Sequence, residues 1–177
     1  MLLRVPMLPL VGLLACALLA NAADAKKDAP KEKAATALDA FKNLAGEWVG
    51  KGGDGKDTTE AKITYKVTSN GSAVVETIGP GTEHEMVTMI HLDGDKVVLT
   101  HYCALGNQPR MKAPAKLDGK KVAFEFADAT NLKSDKDMHM HNVTYTFVDD
   151  DTLKTEWTHY MDGKAAGTMV FELKRKK

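Results

Sequence analysis

The chain has 177 residues, 44% of them hydrophobic, and its 24 basic side chains balance 24 acidic ones. This balance, with no basic stripe, argues against a nucleic-acid-binding protein and against a polybasic membrane patch. Once the leader described next is set aside, the length predicts one domain, large enough to bury about 70% of the unfolded chain's surface.

Residues 1–22 have the pattern of an export signal. Arg4 supplies a short positive region, residues 5–20 are apolar and uncharged, and Ala20-Asn21-Ala22 matches the small-x-small cleavage site. The apolar run is shorter than the roughly 20 residues that a helix needs to cross a bilayer. The sequence therefore predicts a signal peptide and a secreted or periplasmic protein without a transmembrane segment.

Cys16 offers an alternative, because it follows a small residue as the cysteine of a lipoprotein signal does. Residues 17–20 are still apolar, whereas a lipoprotein usually turns polar after that cysteine. Cleavage after Ala22 would leave Cys103 as the one cysteine of the mature chain, so an internal disulfide is excluded and burial must stabilise the fold.

The remaining chain predicts a tether, a short helix and then strands. Residues 23–35 are rich in Ala, Lys, Asp and Pro and predict a flexible tether. In residues 36–44, Leu38, Phe41 and Leu44 form one apolar helical stripe. Alternating patterns separated by Asn-Gly and Asp-Gly turns then predict ten strands, at 47–52, 58–68, 72–79, 83–92, 96–104, 111–117, 121–127, 139–148, 152–160 and 165–175.

Ten strands joined by hairpins predict an all-β fold, a single up-and-down antiparallel barrel over residues 36–177. In such a meander successive connections alternate between the two barrel ends. The tight turns near residues 70, 94, 119 and 150 share one end, which we call the stitched end. The longer loops 53–57, 79–82, 105–110 and 128–138 share the other, the loose end, which predicts a mouth for a ligand.

Residues 44–48 and the last strand resemble the calycin superfamily, which includes lipocalins and fatty-acid-binding proteins. A Gly-x-Trp motif, here Gly46 and Trp48, follows a short helix, and Arg175 lies on the inward parity of the last strand. The resemblance implies that Trp48 packs in the barrel base under Arg175. Residues 46–52 also resemble nitrobindin-like barrels, which hold haem, and residues 84–111 resemble exported bacterial proteins of the calycin type. The alternative is a β-sandwich with a chance Gly-x-Trp.

Most of the chemically versatile side chains map to the loose end. Side chains alternate between the two faces of a strand, so residues two apart share a face. By this rule His101 shares a face with Cys103, and His159 shares one with Trp157. His139 and His141 share a face with the apolar residues Val143, Tyr145 and Phe147. A two-residue turn at Asp93-Gly94 would pair His84 with Cys103 and Met86 with His101. A three-residue aspartate turn would pair Phe147 with Leu153, Val143 with Trp157 and His141 with His159. The apolar companions should be core, so these histidines should point inward near the mouth, and Met138 and Met140 outward. The predicted ligand-contacting residues at the mouth are His84, His101, Cys103, Arg110, His139, His141 and His159.

Three functions fit this pattern. The leading one is a non-enzymatic barrel that binds a small apolar or amphipathic ligand. The second is haem or a divalent metal such as zinc or copper, bound through His139, His141 and His159, since imidazole suits these ions. The third is an enzyme that uses an activated Cys103 thiol beside His101; no third orienting group is marked, so a non-enzyme is favoured. Histidines that only hydrogen-bond at the barrel rim are the structural alternative.

Overall fold

The computed structural model describes residues 35–177, so the predicted signal peptide, Cys16 and the tether up to residue 34 lie outside the described residues. The helix α1 spans Ala37–Lys42 and is shorter than predicted. It begins where it does because the hydroxyl of Thr36 accepts from the backbone of Asp39, while the Asp39 carboxylate accepts from the backbone of Thr36. This reciprocal capping box satisfies two otherwise unpaired N–H groups.

Ten strands follow the helix and form one closed antiparallel barrel in which every neighbour in sequence is a neighbour in space, and β1 pairs with β10. The predicted up-and-down barrel is therefore confirmed. The strands are β1 Gly46–Gly53, β2 Thr58–Thr68, β3 Ala73–Ile78, β4 Met86–Asp93, β5 Lys96–Tyr102, β6 Gln108–Pro114, β7 Lys121–Thr130, β8 His139–Asp149, β9 Thr152–Met161 and β10 Lys164–Arg175.

The turn chemistry explains the register of these hairpins. At the β9–β10 turn, Asp162 and Gly163 both have positive φ, 54° and 72°, as a two-residue type I′ turn requires. At the β4–β5 turn, Asp93 pairs with Lys96, so the turn residues are one position later than Asp93-Gly94.

Alternation along the strands fills the barrel with apolar side chains. In most strands every second residue is buried, as in β9, where Leu153, Thr155 and Trp157 alternate with partly exposed residues. The largest fully buried side chains include Trp48, Trp157, Tyr145, Phe41, Phe124, Ile63, Ile90, Leu99, Met111, Leu153 and Leu173. The interior is thus a packed core over much of its height.

Helix α1 closes the stitched end. Phe41 is fully buried and packs edge-on against Tyr145 and Phe147, with ring centroids 4.8 and 5.5 Å away. Beside it, Trp48 is fully buried, and the Arg175 guanidinium lies over its ring at 4.5 Å. The contact between Trp48 and Arg175 that the resemblance implied is present.

Several strand boundaries differ from the predicted ones by up to three residues, and the differences at β4 and β6 move predicted site residues. The strand β6 starts at Gln108 rather than 111, so Arg110 lies within a strand and not in a mouth loop. The strand β4 starts at Met86 rather than 83, which leaves His84 in the preceding turn. Within residues 35–177, no helix is long and apolar enough to cross a membrane.

Candidate functional site

Strands β7 and β8 separate towards the loose end of the barrel. Their ladder runs from Lys121 paired with Thr146 to Phe124 paired with Val143 and ends there. Both strands continue beyond that point, β7 to Thr130 along β6 and β8 to His139 along β9. A gap therefore opens in the wall between the two strands, and we call it the β7–β8 cleft.

A bulge in β8 turns the histidines towards this cleft. Val143 faces Trp157 as predicted, but the register shifts between Met140 and Asn142, and Met140 rather than His141 faces His159. The extra residue shifts the inward and outward alternation of side chains by one position on the N-terminal side of the bulge. Met140 consequently packs against the core. The expected placement of His139 on the inward face and of Met140 on the outer face is wrong for this reason. His141 is the inserted residue of the bulge and lines the cleft.

The cleft holds a pocket of about 480 Å³. His141 lies between two aromatic rings, stacked on Phe126 at 4.5 Å and on Tyr160 at 3.7 Å, with both rings within 13° of parallel. The pocket is bounded by apolar side chains and a few polar groups, from Phe126, Leu132, Ser134, Asp135, His139, His141, Tyr160 and Gly163. This composition is typical of sites for small organic molecules.

The hydrogen bonds fix which ring nitrogens carry protons. His139 Nδ1 lies 2.7 Å from the carbonyl oxygen of Asp137, which can only accept, so Nδ1 donates. In a neutral ring Nε2 then has a lone pair, and it accepts from Nδ1 of His141 at 3.0 Å. Nε2 of His141 is left with a free lone pair. The relay from Asp137 through His139 thus presents one hydrogen-bond acceptor at His141.

Two effects keep His141 uncharged near neutral pH. Burial, and then the neighbouring His139, lower its pKa below the usual value, and Glu125 only partly opposes them. His141 therefore favours the neutral form, which accepts a hydrogen bond at Nε2.

His101 lies inside the barrel rather than at its rim. It is 1% exposed, and Thr88 faces it across the β4–β5 ladder, so Met86 is not its partner as predicted. Thr88 Oγ1 lies 3.0 Å from Nδ1 of His101, and the ring packs on Trp157 at 4.8 Å. Burial lowers the pKa of His101 to about 4, so this imidazole is neutral as well.

The other predicted residues lie apart from the β7–β8 cleft. His159 packs its ring against Gly167, where an added Cβ would lie 2.7 Å from Cε1. Cys103 is half-buried, and burial raises the pKa of its thiol, which opposes activation. His84 is exposed beside Glu83. Arg110 lies on the outer wall, and its Nε donates to Asp128 at 2.6 Å.

Several polar and aromatic residues of these sites were not identified from the sequence. Phe126 and Tyr160 form the cleft, and Glu76, Thr88 and Thr155 lie buried in the barrel. The burial of Glu76 could have been predicted from the sequence, because Glu76 lies between Val74 and Ile78 on the face of β3 that points into the barrel. Among residues 35–177, no three or more His, Cys, Asp or Glu side chains are grouped so that they could hold a metal ion.

Comparison with one solved structure supports the fold. The chain is similar to Rv2717c from M. tuberculosis, with 16% identity and a TM-score of 0.59, over 82% of this chain and all of that one. It is also similar to a protein of unknown function of the DUF3598 family from Nostoc punctiforme, at 12% identity and a TM-score of 0.44, over 76% of this chain and 48% of that chain. No family model matches the sequence. No curated protein matches it either.

Proposed function

We propose that the protein is a non-enzymatic binding barrel that takes up a small, mostly apolar molecule in the β7–β8 cleft. The observation that carries the proposal is the gap in the barrel wall, where the ladder ends at Phe124 and Val143 while both strands continue. A pocket of about 480 Å³ occupies this gap. Membership of the calycin superfamily, on the strength of the Gly46, Trp48 and Arg175 pattern, is part of the same proposal.

The chemistry of the cleft defines the ligand class. Phe126, Leu132 and Tyr160 supply apolar surface, and Nε2 of His141 is a neutral acceptor without a partner among residues 35–177. A matching ligand is apolar, uncharged and carries one hydrogen-bond donor, such as a phenol. A hydrogen bond to His141 then gives orientation, while contact with the apolar walls gives most of the affinity.

A pair of fluorescent probes tests this assignment. 2-Naphthol has one hydroxyl donor, and 2-methoxynaphthalene has nearly the same shape without it. We expect 2-naphthol to bind saturably, and His141→Phe to weaken its binding by about tenfold, since one net hydrogen bond contributes about 1 kcal/mol or slightly more. Binding of 2-methoxynaphthalene should be unchanged by that substitution.

His91→Phe is the matched control, because His91 is exposed and lies on β4, outside the cleft. Leu132→Asp should abolish binding of both probes by placing a charge in the apolar wall. The proposal fails if neither probe saturates, or if both bind equally well to the wild type, His141→Phe and Leu132→Asp.

Haem or metal binding is the second candidate, and the free lone pair of His141 favours it. Imidazole Nε2 is a common ligand of zinc and copper, and the Asp135 carboxylate lines the same pocket. Reconstitution with haemin, followed by Soret absorbance, and titration with Zn²⁺ or Cu²⁺ separate this candidate from the first. Metal binding that survives replacement of His141, His139 and His159 would exclude these residues as ligands.

A further inference from the structure

The barrel interior contains a continuous polar layer, unusual for a packed core. Tyr65, Glu76, Thr88 and His101 lie on four successive strands, β2 to β5, and each is the direct ladder partner of the next. All four are at most 3% exposed. The layer continues on the far side with Tyr145 and Thr155, which are themselves partners on β8 and β9.

Glu76 is the centre of this layer. Tyr65 donates its hydroxyl to Oε1 at 2.6 Å, and the Tyr145 hydroxyl lies 3.1 and 3.0 Å from the two carboxylate oxygens. Two phenol hydroxyls therefore converge on one buried carboxyl group, and each has a single proton to give. Thr88 lies beside them as the ladder partner of Glu76.

His101 has one paired and one unpaired ring nitrogen. Thr88 Oγ1 lies 3.0 Å from Nδ1 of His101, in a hydrogen bond whose direction depends on the tautomer of the ring. Nε2 of His101 is buried and has no hydrogen-bond partner among residues 35–177.

Two further buried polar atoms of the core have no partner within the part of the chain that the structure describes: Oγ1 of Thr155 and Nε1 of Trp157. Both residues lie on the inward face of β9, and the Trp157 ring is 4.8 Å from that of His101, which comes from β5 across the barrel. Leaving a buried polar group unpaired is costly, and folded proteins almost always avoid it. Three such atoms lie in this one core.

We propose that the barrel interior between β5 and β9 binds one small uncharged hydroxylic molecule, a water or an alcohol. Its oxygen accepts from the indole N–H of Trp157, and its hydrogen is donated to Nε2 of His101. In this arrangement the imidazole proton is on Nδ1 and is donated to Thr88 Oγ1. The hydroxyl group of Thr155 forms a further contact with the bound molecule. The flanking inward residues Ile90 and Leu99 are apolar, so a charged occupant would pay a large desolvation cost. This interior site is separate from the β7–β8 cleft and does not rest on the function proposed for it.

The indole N–H signals in proton–nitrogen NMR spectra test this site. Trp48 is an internal control, because its Nε1 donates to the Leu44 carbonyl at 2.7 Å. We expect the Trp157 indole proton to show a cross-peak to a long-lived bound hydroxylic molecule, and nitrogen spectra to place the His101 proton on Nδ1. The Trp48 signal should show neither the cross-peak nor a change on adding alcohol.

Methanol and 1-propanol distinguish the two occupants. A saturable shift of the Trp157 signal with loss of its water cross-peak identifies an alcohol site, and a water cross-peak that neither alcohol displaces identifies bound water. Each result supports the site. The absence of any cross-peak or alcohol-dependent shift at Trp157, or a proton on Nε2 of His101, would overturn it.

Substitutions supply a second readout. His101→Phe keeps the aromatic contact with Trp157 but removes the acceptor, and we expect the Trp157 cross-peak to fall at least tenfold. Thr155→Val should weaken it, whereas Thr158→Val on the outer face of the same strand, where Thr158 meets Thr168, should not. If His101→Phe does not fold, the wild-type spectra and the two threonine variants still decide the question.

Discussion

Arg175 covers the indole of Trp48, with 4.5 Å between the guanidinium carbon and the ring centroid, and the two residues are direct partners in the β1–β10 ladder. The same guanidinium donates to the carbonyl oxygens of Asn43 and Ala45, at 2.7 and 2.9 Å. One side chain thus joins the first strand, the last strand and the chain that follows the helix.

Trp48→Ala should destabilise the protein by about 3–5 kcal/mol, the usual cost of removing a large buried aromatic side chain. Arg175→Lys should cost about 1–3 kcal/mol, because an ammonium cannot satisfy both carbonyls in the geometry of the guanidinium fork. Urea unfolding measures both. Lys177→Ala is the control at an exposed site, and a stability loss for Arg175→Lys no larger than that control would contradict the assignment.

Gly50→Ala should also destabilise the barrel strongly, for a different reason. A Cβ at Gly50 would collide with the backbone carbonyl oxygen of Glu172 on β10, and backbone cannot move aside as a side chain can. At Gly52 the collision is with the Phe171 ring, which has freedom to rotate. Thermal unfolding should therefore show a larger loss for Gly50→Ala than for Gly52→Ala, and the reverse order would refute this reasoning.

His101 should make the protein lose stability in acid. Its folded pKa is about 4, below the ordinary 6.5, so between these values the unfolded chain binds more protons and stability falls as pH falls. The full loss below pH 4 is roughly 3 kcal/mol, at about 1.4 kcal/mol per pKa unit. Burial raises the pKa of Glu76, which acts in the opposite direction: its contribution is present in acid and lost as pH rises through its folded pKa.

Denaturant unfolding between pH 4 and pH 7 isolates the two effects. His101→Phe should remove the acid-dependent loss, and Glu76→Gln should remove the opposing contribution and make the loss steeper. An unchanged pH profile in His101→Phe would show that other groups control acid stability.

Export is a further expectation, drawn from residues 1–22. Intact mass of the exported protein should correspond to a mature chain that begins at Ala23, as the Ala20-Asn21-Ala22 site predicts. A mature protein that begins at a diacylglyceryl-modified Cys16 would contradict this prediction and support the lipoprotein alternative. Asn21 is not required by the small-x-small rule, so Asn21→Gln should leave processing unchanged, while Ala22→Phe should block cleavage at this site.

The sequence predicted the barrel well because its turns are local signals. Asp162-Gly163 needs no distant contact to form a tight turn, and the aspartate turn correctly pairs Phe147 with Leu153 and Val143 with Trp157. From such pairs the strand order follows directly.

The candidate sites were harder to predict, because they depend on irregularities. Parity assumes a regular strand, so the bulge before Asn142 reversed the faces of His139 and Met140. No residue pattern in the sequence indicates that the β7–β8 ladder ends at Phe124 and Val143. Glu76 lies in a pattern that parity does expose, yet its two hydroxyl partners, Tyr65 and Tyr145, come from separate strands, and Tyr145 is 69 residues away in sequence.

The pairing of β1 with β10 also constrains how the chain reaches its native state. Arg175 and Ala45 are 130 residues apart in sequence, and β1 has only one of its two neighbours until β10 has been synthesised. Closing so large a loop makes folding slow compared with a protein of local contacts. A chain with this topology stays incompletely folded until its last strand emerges.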